Sequence, residues 1–311
     1  MERQAVRTAH AAIGAVIGAG FATGRELNVF FACHGPCGMA GALSAAAVIV
    51  WVASGEMRGE GKARRPVLRL MWRICYVPML AALGGAMLAC AGELAARLLP
   101  VRHAQPLGMV LMLAAACRSQ ERAASRAGEL LTGCLTAMLL TGLLLNGEGT
   151  AVQADSGLLP ALTDGLRYGG LNAAAVIPAA AQASGMTEGM RRQCVMLLAV
   201  LLSGVLLLGC TVMLRHPELR HETLPLLVML RQTGRIGYAL CSLTMELAVF
   251  TTLRACICGL RSELPQGRSL APAAVLAASA FGFDGLIEQV YPPLGGACML
   301  LLVLRKVAQN G

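Results

Sequence analysis

From residue 14 the chain reads Gly14-Ala-Val-Ile-Gly18-Ala-Gly20-Phe21-Ala22-Thr23-Gly24-Arg25-Glu26, an apolar run that ends in adjacent opposite charges. Each glycine weakens a helix by up to about 1 kcal/mol relative to alanine. Glycines at 18, 20 and 24, closed by a charged pair, predict unwound backbone inside an apolar segment. At membrane depth such backbone persists only where protein or a polar cavity surrounds it. The break would do two chemical jobs. Carbonyls freed at the end of the first half-helix can hold a cation, and amides freed at the start of the second can hold an anionic group such as a carboxylate. The competing explanation is a close helix crossing through Gly14-x-x-x-Gly18, which leaves Gly20, Gly24 and the charges without a reason.

A second glycine cluster, Tyr168-Gly169-Gly170-Leu171-Asn172, follows about 150 residues later, half the chain length. Interrupted helices at matching positions of two halves point to an inverted-repeat transporter and to its binding site. The expectation is therefore a break in each half, with substrate held by Gly18, Ala19, Gly20, Phe21, Ala22, Thr23, Gly24 and Glu26 from the first and by Tyr168, Gly169, Gly170 and Asn172 from the second. Asn172 has an alternative role as a half-helix cap. Ionisable residues inside apolar segments are functional candidates by default, which singles out Arg25, Glu26 and Glu246; an ion pair that only fixes the fold is the alternative. Glu93 and Arg97, four residues apart, read as an ordinary helix-surface pair.

The elements that must position these groups are long apolar helices. Of 311 residues 56% are hydrophobic, 14% charged and 4% aromatic, about half the charge of an average soluble domain. The apolar mass is mostly small or flexible, as close helix packing in a bilayer requires. Ten segments are predicted: about 6–33, interrupted near 18–24; 37–57; 70–99; 106–117; a fifth ending near Asn146; 158–183, again interrupted; a seventh ending near Leu214; 236–260; 270–283; and 286–304. The fold class is all-α membrane protein, one domain over 1–311, with repeats of five helices over 1–150 and 151–311. The two halves share no convincing sequence identity.

The net charge of +9 sits in short loops. With the N-terminus in the cytoplasm, the basic clusters at 58–69 and 118–126, Arg191, Arg192, Arg261, Arg268, Arg305 and Lys306 fall inside. The acidic loop with Glu148, Asp155 and Asp164 falls outside, as does Asp284, with a thinner set of arginines. That bias places both termini in the cytoplasm of a cell membrane. Arg3 and Arg7 before an apolar run resemble a signal peptide, but the run leads into Arg25-Glu26 and is read as a retained first helix. Basic residues interleaved with aromatics are absent, so nucleic acid is set aside as a partner. The twelve cysteines form no C-x-x-C pair. Cys33-His34-Gly35-Pro36-Cys37 lacks a second ligand pair, so no metal or other cofactor is expected there. No H-e-x-x-h or G-x-S-x-G pattern occurs, and the residues around Lys62 miss the phosphate-loop spacing, so no enzyme is expected.

Ile17-Gly-Ala-Gly-Phe-Ala-Thr-Gly-Arg-Glu-Leu27 with Phe30-Phe31 resembles the opening motif of the YkvI-type membrane proteins. These are similar to the amino acid–polyamine–organocation superfamily, which has the LeuT fold. Glu246-Leu-Ala-Val-Phe-Thr251-Thr252 and Tyr291-Pro292-Pro293-Leu-Gly295 resemble the same family, and the resemblance covers nearly the whole chain, with the three motifs in order. Arg25 stands where the family pattern implies glutamine, and the loops are short. The resemblance implies that helix 1 and helix 10 flank an outer pathway, so Arg25 is expected to pair with Asp284 or Glu288, with Glu246 as a further coupling group. A coupling ion is expected where helix 1 meets helix 8. Its oxygens would come from Val16, Gly18 and Ala19 and from the hydroxyls of Thr251 and Thr252, which could instead bond to their own helix. Neutral oxygens suit Na⁺. Some related proton-coupled carriers replace this cation with a lysine on helix 5; the only lysines here are Lys62 and Lys306, neither in helix 5, which argues for Na⁺, while H⁺ through Glu26 or Glu246 remains. The expected function is secondary transport of a small cationic or zwitterionic metabolite of the amino acid or amine class, in the lipid bilayer, coupled to Na⁺ or H⁺. The alternatives are a scaffold or sensor that kept the fold and, more weakly, an intramembrane enzyme.

Overall fold

The structure is a computed structural model that describes every residue except 1–2, 60–65, 120, 146–156, 182, 184, 265–266 and 311. Lys62, Asn146, Glu148 and Asp155 lie outside the described residues. Among those described there are helices and turns and no strand. The chain opens with three short helices, α1 (Arg3–Val16), α2 (Ala19–Thr23) and α3 (Arg25–Phe30). A 3₁₀ turn (Ala32–Cys37) leads to α4 (Gly38–Met57), α5 (Pro66–Leu98), α6 (Ala104–Arg118) and α7 (Glu121–Leu144). The second half holds α8 (Leu158–Ala181), α9 (Glu188–Arg215), the short α10 (Pro225–Arg231), α11 (Gly234–Glu263) and α12 (Gly267–Ser279). A single turn, α13 (Phe283–Gly285), and a π turn (Leu286–Val290) precede α14 (Tyr291–Asn310).

Among the described residues, six segments are long and apolar enough to cross a membrane: Ala32–Met57, Leu70–Leu98, Arg126–Leu144, Glu188–Arg215, Gly234–Glu263 and Phe283–Val307. The chain is thus an all-α protein with the helices of a multi-pass membrane protein. The two stretches that carry the glycine clusters are not among the six; the first is divided into helices of 14, 5 and 6 residues, and both are deeply buried. Residues 12–18, 20–24 and 168–176 are buried without a gap. A helix buried on every side is enclosed by other helices rather than by lipid, so it can carry polar groups. α8 packs along α4 and α14, and α1 touches α7, α8, α9 and α11. The apolar helices therefore surround a less apolar centre.

The interruption expected at Tyr168–Asn172 is absent. α8 runs unbroken from Leu158 to Ala181. Here the glycines serve close packing. A β carbon on Gly169 would press on Val48 and the Ala45 carbonyl of α4, and one on Gly170 would press on Met299 and the Gly295 carbonyl of α14. Gly41 and Gly165 meet the opposing backbone in the same way where α4 crosses α8. Asn172 Nδ2 donates back to the Tyr168 carbonyl 3.2 Å away, a local bond within one intact helix that caps no half-helix.

The charged groups sort to the two ends of the bundle. At one end Arg305 pairs with Glu56 at 2.8 Å and stacks over Trp72, Arg73 pairs with Glu263, and Arg261 donates to the Cys117 carbonyl. At the other, His34 meets Asp164 at 2.9 Å, Arg215 donates to the Leu143 carbonyl, and His216 bridges Glu218 and the Gly142 carbonyl. His34 of the Cys33–Cys37 stretch is thus engaged with a carboxylate of α8.

Candidate functional site

The first helix breaks twice, and each break has a local cause. Gly18 is extended, with φ −78° and ψ −179°. Its N–H bonds to the Val16 carbonyl at 2.8 Å, so the Gly14 carbonyl loses its helical amide. Thr252 of α11 replaces it, its hydroxyl lying 3.2 Å from the Gly14 carbonyl and 3.4 Å from that of Ala15. Gly24 has φ +88°, a left-handed conformation that glycine adopts without steric cost. Thr23 braces this turn, its hydroxyl donating to the Gly20 carbonyl at 3.0 Å and accepting from Arg25 N at 3.3 Å. The crossing proposed at Gly14 also exists, because a β carbon there would meet Gly128 of α7. One sequence stretch therefore holds a crossing at Gly14 and breaks at Gly18 and Gly24.

Glu26 is the chemical focus. Its side chain folds back over Gly20, where a β carbon would overlap Glu26 Cγ, Cδ and Oε1. Glycine at 20 is thus required to leave room for a carboxyl. Glu26 is 2% exposed and has no ion-pair partner among the described residues. The Tyr168 hydroxyl faces the carboxyl and Tyr291 of α14 lies in the same electrostatic neighbourhood. Glu26 Oε2 and Tyr291 Oη are buried without a hydrogen-bond partner among the described residues, and the Tyr168 hydroxyl has only the Glu26 and Asn172 side chains to meet. Phe30 and Phe31 hold the Tyr168 ring edge-on, at centroid distances of 5.3 and 5.0 Å. The Phe-Phe pair of the opening motif is thus the clamp that aims Tyr168. Buried polar atoms without partners are rare and cost about 1–3 kcal/mol each; two of them around one tyrosine hydroxyl mark a place for a polar guest.

Beyond Gly24, Arg25 lies at the outer edge of this cluster. Its Nε is 3.2 Å from Asp284 Oδ1, and its guanidinium also contacts Glu288. It donates to the Arg220 carbonyl at 2.9 Å as well, and Thr223 donates to Asp284 Oδ2 at 3.0 Å. The Arg25 side chain is 12% exposed, against 42% for Asp284 and 44% for Glu288. The pairing also depends on the π turn. Pro292 and Pro293 have no N–H for the carbonyls of Glu288 and Gln289, and the ladder widens there, with Tyr291 N–H on the Leu286 carbonyl. π turns of this kind recur at functional sites.

The structure does not bring the remaining residues together in the way the sequence suggested. Phe21 packs on Gly209 of α9, and Gly24 faces Met213 and α10. Ala22 is fully buried. The side chain of Ala19 is outside the described residues, and its backbone opens α2. Gly18 lies against Met87 and Thr252. Val16 is buried, its carbonyl taken by Gly18. The Thr251 hydroxyl bonds to the Leu247 and Ala248 carbonyls of its own helix, so Thr252 alone reaches the break. Glu246 is half-buried, near Cys90 of α5, away from Glu26. Tyr291, which the sequence offered only as part of a motif, joins the cluster. The signal for it was its place immediately before a Pro-Pro step.

No known family profile and no curated protein matches the chain. Among solved structures, a manganese transporter of Eremococcus coleocola, crystallised with an aromatic bis-isothiourea substituted compound, is similar over 98% of this chain and 68% of that one. The identity is 12% and the TM-score 0.36, a likeness too distant to bear on mechanism or cargo.

Proposed function

We propose that the chain is a secondary transporter that carries a small cationic or zwitterionic metabolite, of the amino acid or amine class, by alternating access. The observation that carries this reading is the Glu26 carboxyl, buried beside a broken helix and two tyrosine hydroxyls, with no ion-pair partner among the described residues. An ionised carboxylate in such a place is very costly alone. It takes its counter-charge from a guest cation or from a proton, and a site that alternates between these states can couple them. An ammonium group would have Glu26 as its charge partner and the Tyr168 and Tyr291 oxygens as acceptors.

Thr252 with the carbonyls of Gly14 and Ala15 fits a Na⁺ site: neutral, hard oxygens from two elements, already converging. H⁺ on Glu26 is the other coupling route. Arg25, Asp284 and Glu288 serve as the outer gate in this reading, which their ion pairs support. In this reading ten segments cross the plasma membrane as two repeats of five, related as in the YkvI-type proteins whose motifs the chain resembles. Both termini face the cytoplasm, because the basic loops then lie inside. The chain is not an enzyme and needs no resident cofactor.

The test is uptake into proteoliposomes from a mixture of amino acids and amines, read by mass spectrometry, for the wild type and Glu26→Gln. The wild type is expected to accumulate at least one cationic or zwitterionic solute and Glu26→Gln none. A wild type that accumulates nothing under either a Na⁺ or a H⁺ gradient leaves the scaffold or sensor reading in its place.

A further inference from the structure

A cavity of about 710 Å³ lies at the gated end of the bundle, sharing no lining residue with the Glu26 cluster, and is lined by Arg97, Leu227, Val228, Arg231, Gly234, Arg235 and Tyr238. Three of its seven lining residues are arginines and none is acidic. Among the described residues, none of the three has a carboxylate within ion-pair distance. Arg97 and Arg231 sit in the last turns of α5 and α10, where a helix dipole favours cations. Arg235 does not: it stands in the first turn of α11, where the dipole opposes it and two like charges are near. That turn is also uncapped, since the Thr233 hydroxyl donates to the Leu230 carbonyl instead of accepting from α11. Positive side chains, free helix amides and an adverse dipole converge on one cavity, and an anion resolves all three.

The apolar residues indicate what kind of anion. Leu227, Val228 and Tyr238 line the same cavity. Leu98, Leu99 and Ile236, next in sequence to the arginines, are 39%, 45% and 86% exposed, as lipid-facing residues are. A free phosphate would use the arginines and leave the apolar wall idle. We infer that this cavity binds the headgroup of an anionic phospholipid, with the phosphodiester on Arg97, Arg231, Arg235 and the first turn of α11, and the chains running down past Ile236. Guanidiniums hold phosphate oxygens in a fixed fork, and the adjoining apolar wall matches acyl chains.

The experiment uses the full chain in detergent, titrated with phosphatidylglycerol, with bound lipid counted by native mass spectrometry. Phosphatidylcholine and inorganic phosphate serve as separate arms. The wild type is expected to retain one phosphatidylglycerol that survives dilution and to retain no phosphatidylcholine. Each guanidinium near a headgroup contributes enough that the triple variant Arg97→Gln, Arg231→Gln, Arg235→Gln should bind about a hundredfold more weakly. Arg235→Gln alone should show part of that loss, which keeps the test valid if the triple variant folds poorly. Arg102→Gln, an exposed arginine that does not line the cavity, should behave as the wild type. Equal retention by the wild type and Arg235→Gln overturns the site. Displacement of the lipid by millimolar inorganic phosphate overturns its assignment to a headgroup and leaves a soluble-anion site.

Discussion

Two glycine clusters half a chain apart, at 18–24 and at 169–170, look alike in sequence and differ in structure. The first unwinds a helix; the second lets an intact helix lie against two others. The difference lies in what surrounds each glycine. Gly18 and Gly24 take conformations outside the helix, and Gly20 yields its side-chain space to Glu26. Gly169 and Gly170 keep helical geometry and yield theirs to α4 and α14. Glycine alone marks a need for space or for backbone freedom, and only its neighbours tell which. At 25–26 the neighbours are charges; at 171–176 they are mostly Leu, Ala and Val, with strong helix formers to carry the ladder through.

The comparison breaks most directly at Glu26. If the first cluster is a binding site, Glu26→Gln removes its buried carboxylate and should lower uptake by roughly a hundredfold, the order expected when one partner of a buried charge pair is lost. Thermal stability in detergent should hold or rise, because a buried carboxyl is replaced by a neutral amide. A variant that transports normally would make Glu26 a structural group and remove the distinction drawn here.

Alanine at each glycine sharpens it. Gly20→Ala pushes the Glu26 carboxyl out of place and should cut uptake about tenfold, with a minor change in melting temperature. Gly170→Ala forces α8 from α14 and should cost about 1–3 kcal/mol, as overpacking does, read as a lower melting temperature in detergent. The variant that survives should retain the wild-type apparent affinity for substrate. The reverse pattern, with Gly170→Ala silent in stability and altered in affinity, would place the second cluster back in the site.

A smaller effect is expected at Thr252. Losing one neutral oxygen from a cation shell typically costs about 1 kcal/mol. Thr252→Val should therefore raise the Na⁺ concentration needed for half-maximal uptake about fivefold. Thr251→Val should change it little, since that hydroxyl serves its own helix. Uptake that ignores both the Thr252 change and replacement of Na⁺ by choline would assign coupling to protons.

How much of this was legible follows from the range of the interactions. The break, the close crossing at Gly14 and the order of the helices rest on local propensity and hydropathy, and the sequence carries both. The approach of Arg25 to Asp284 and Glu288 came only from a resemblance, because nothing local to residue 25 names a partner 260 residues away. The intact α8 was misread because packing glycines and breaking glycines have the same letters. Tyr291 and the π turn were missed for another reason: two prolines predict the end of one hydrogen-bond ladder but not the side chain that the resulting turn aims inward.

The smallest effect is expected at Arg25, and it separates a gate from a staple. Both carboxylates that hold it are over 40% exposed, and exposed pairs contribute only about 0.2–1 kcal/mol. Arg25→Gln should therefore leave folding intact and shift the balance of conformations by about two- to fivefold toward an open outer face. The readout is the rate at which a thiol reagent, excluded from the bilayer, modifies a cysteine placed at Asn28 in a chain whose exposed native cysteines are replaced. Asn28 is 6% exposed behind the closed pair. The rate should rise in Arg25→Gln and in Asp284→Asn, fall again when substrate is added, and stay flat for Asp164→Asn, whose partner His34 ties α8 to the 3₁₀ turn instead. Equal rates in the wild type and Arg25→Gln would make the Arg25 cluster a fixed brace, and the outer face would then have to open elsewhere.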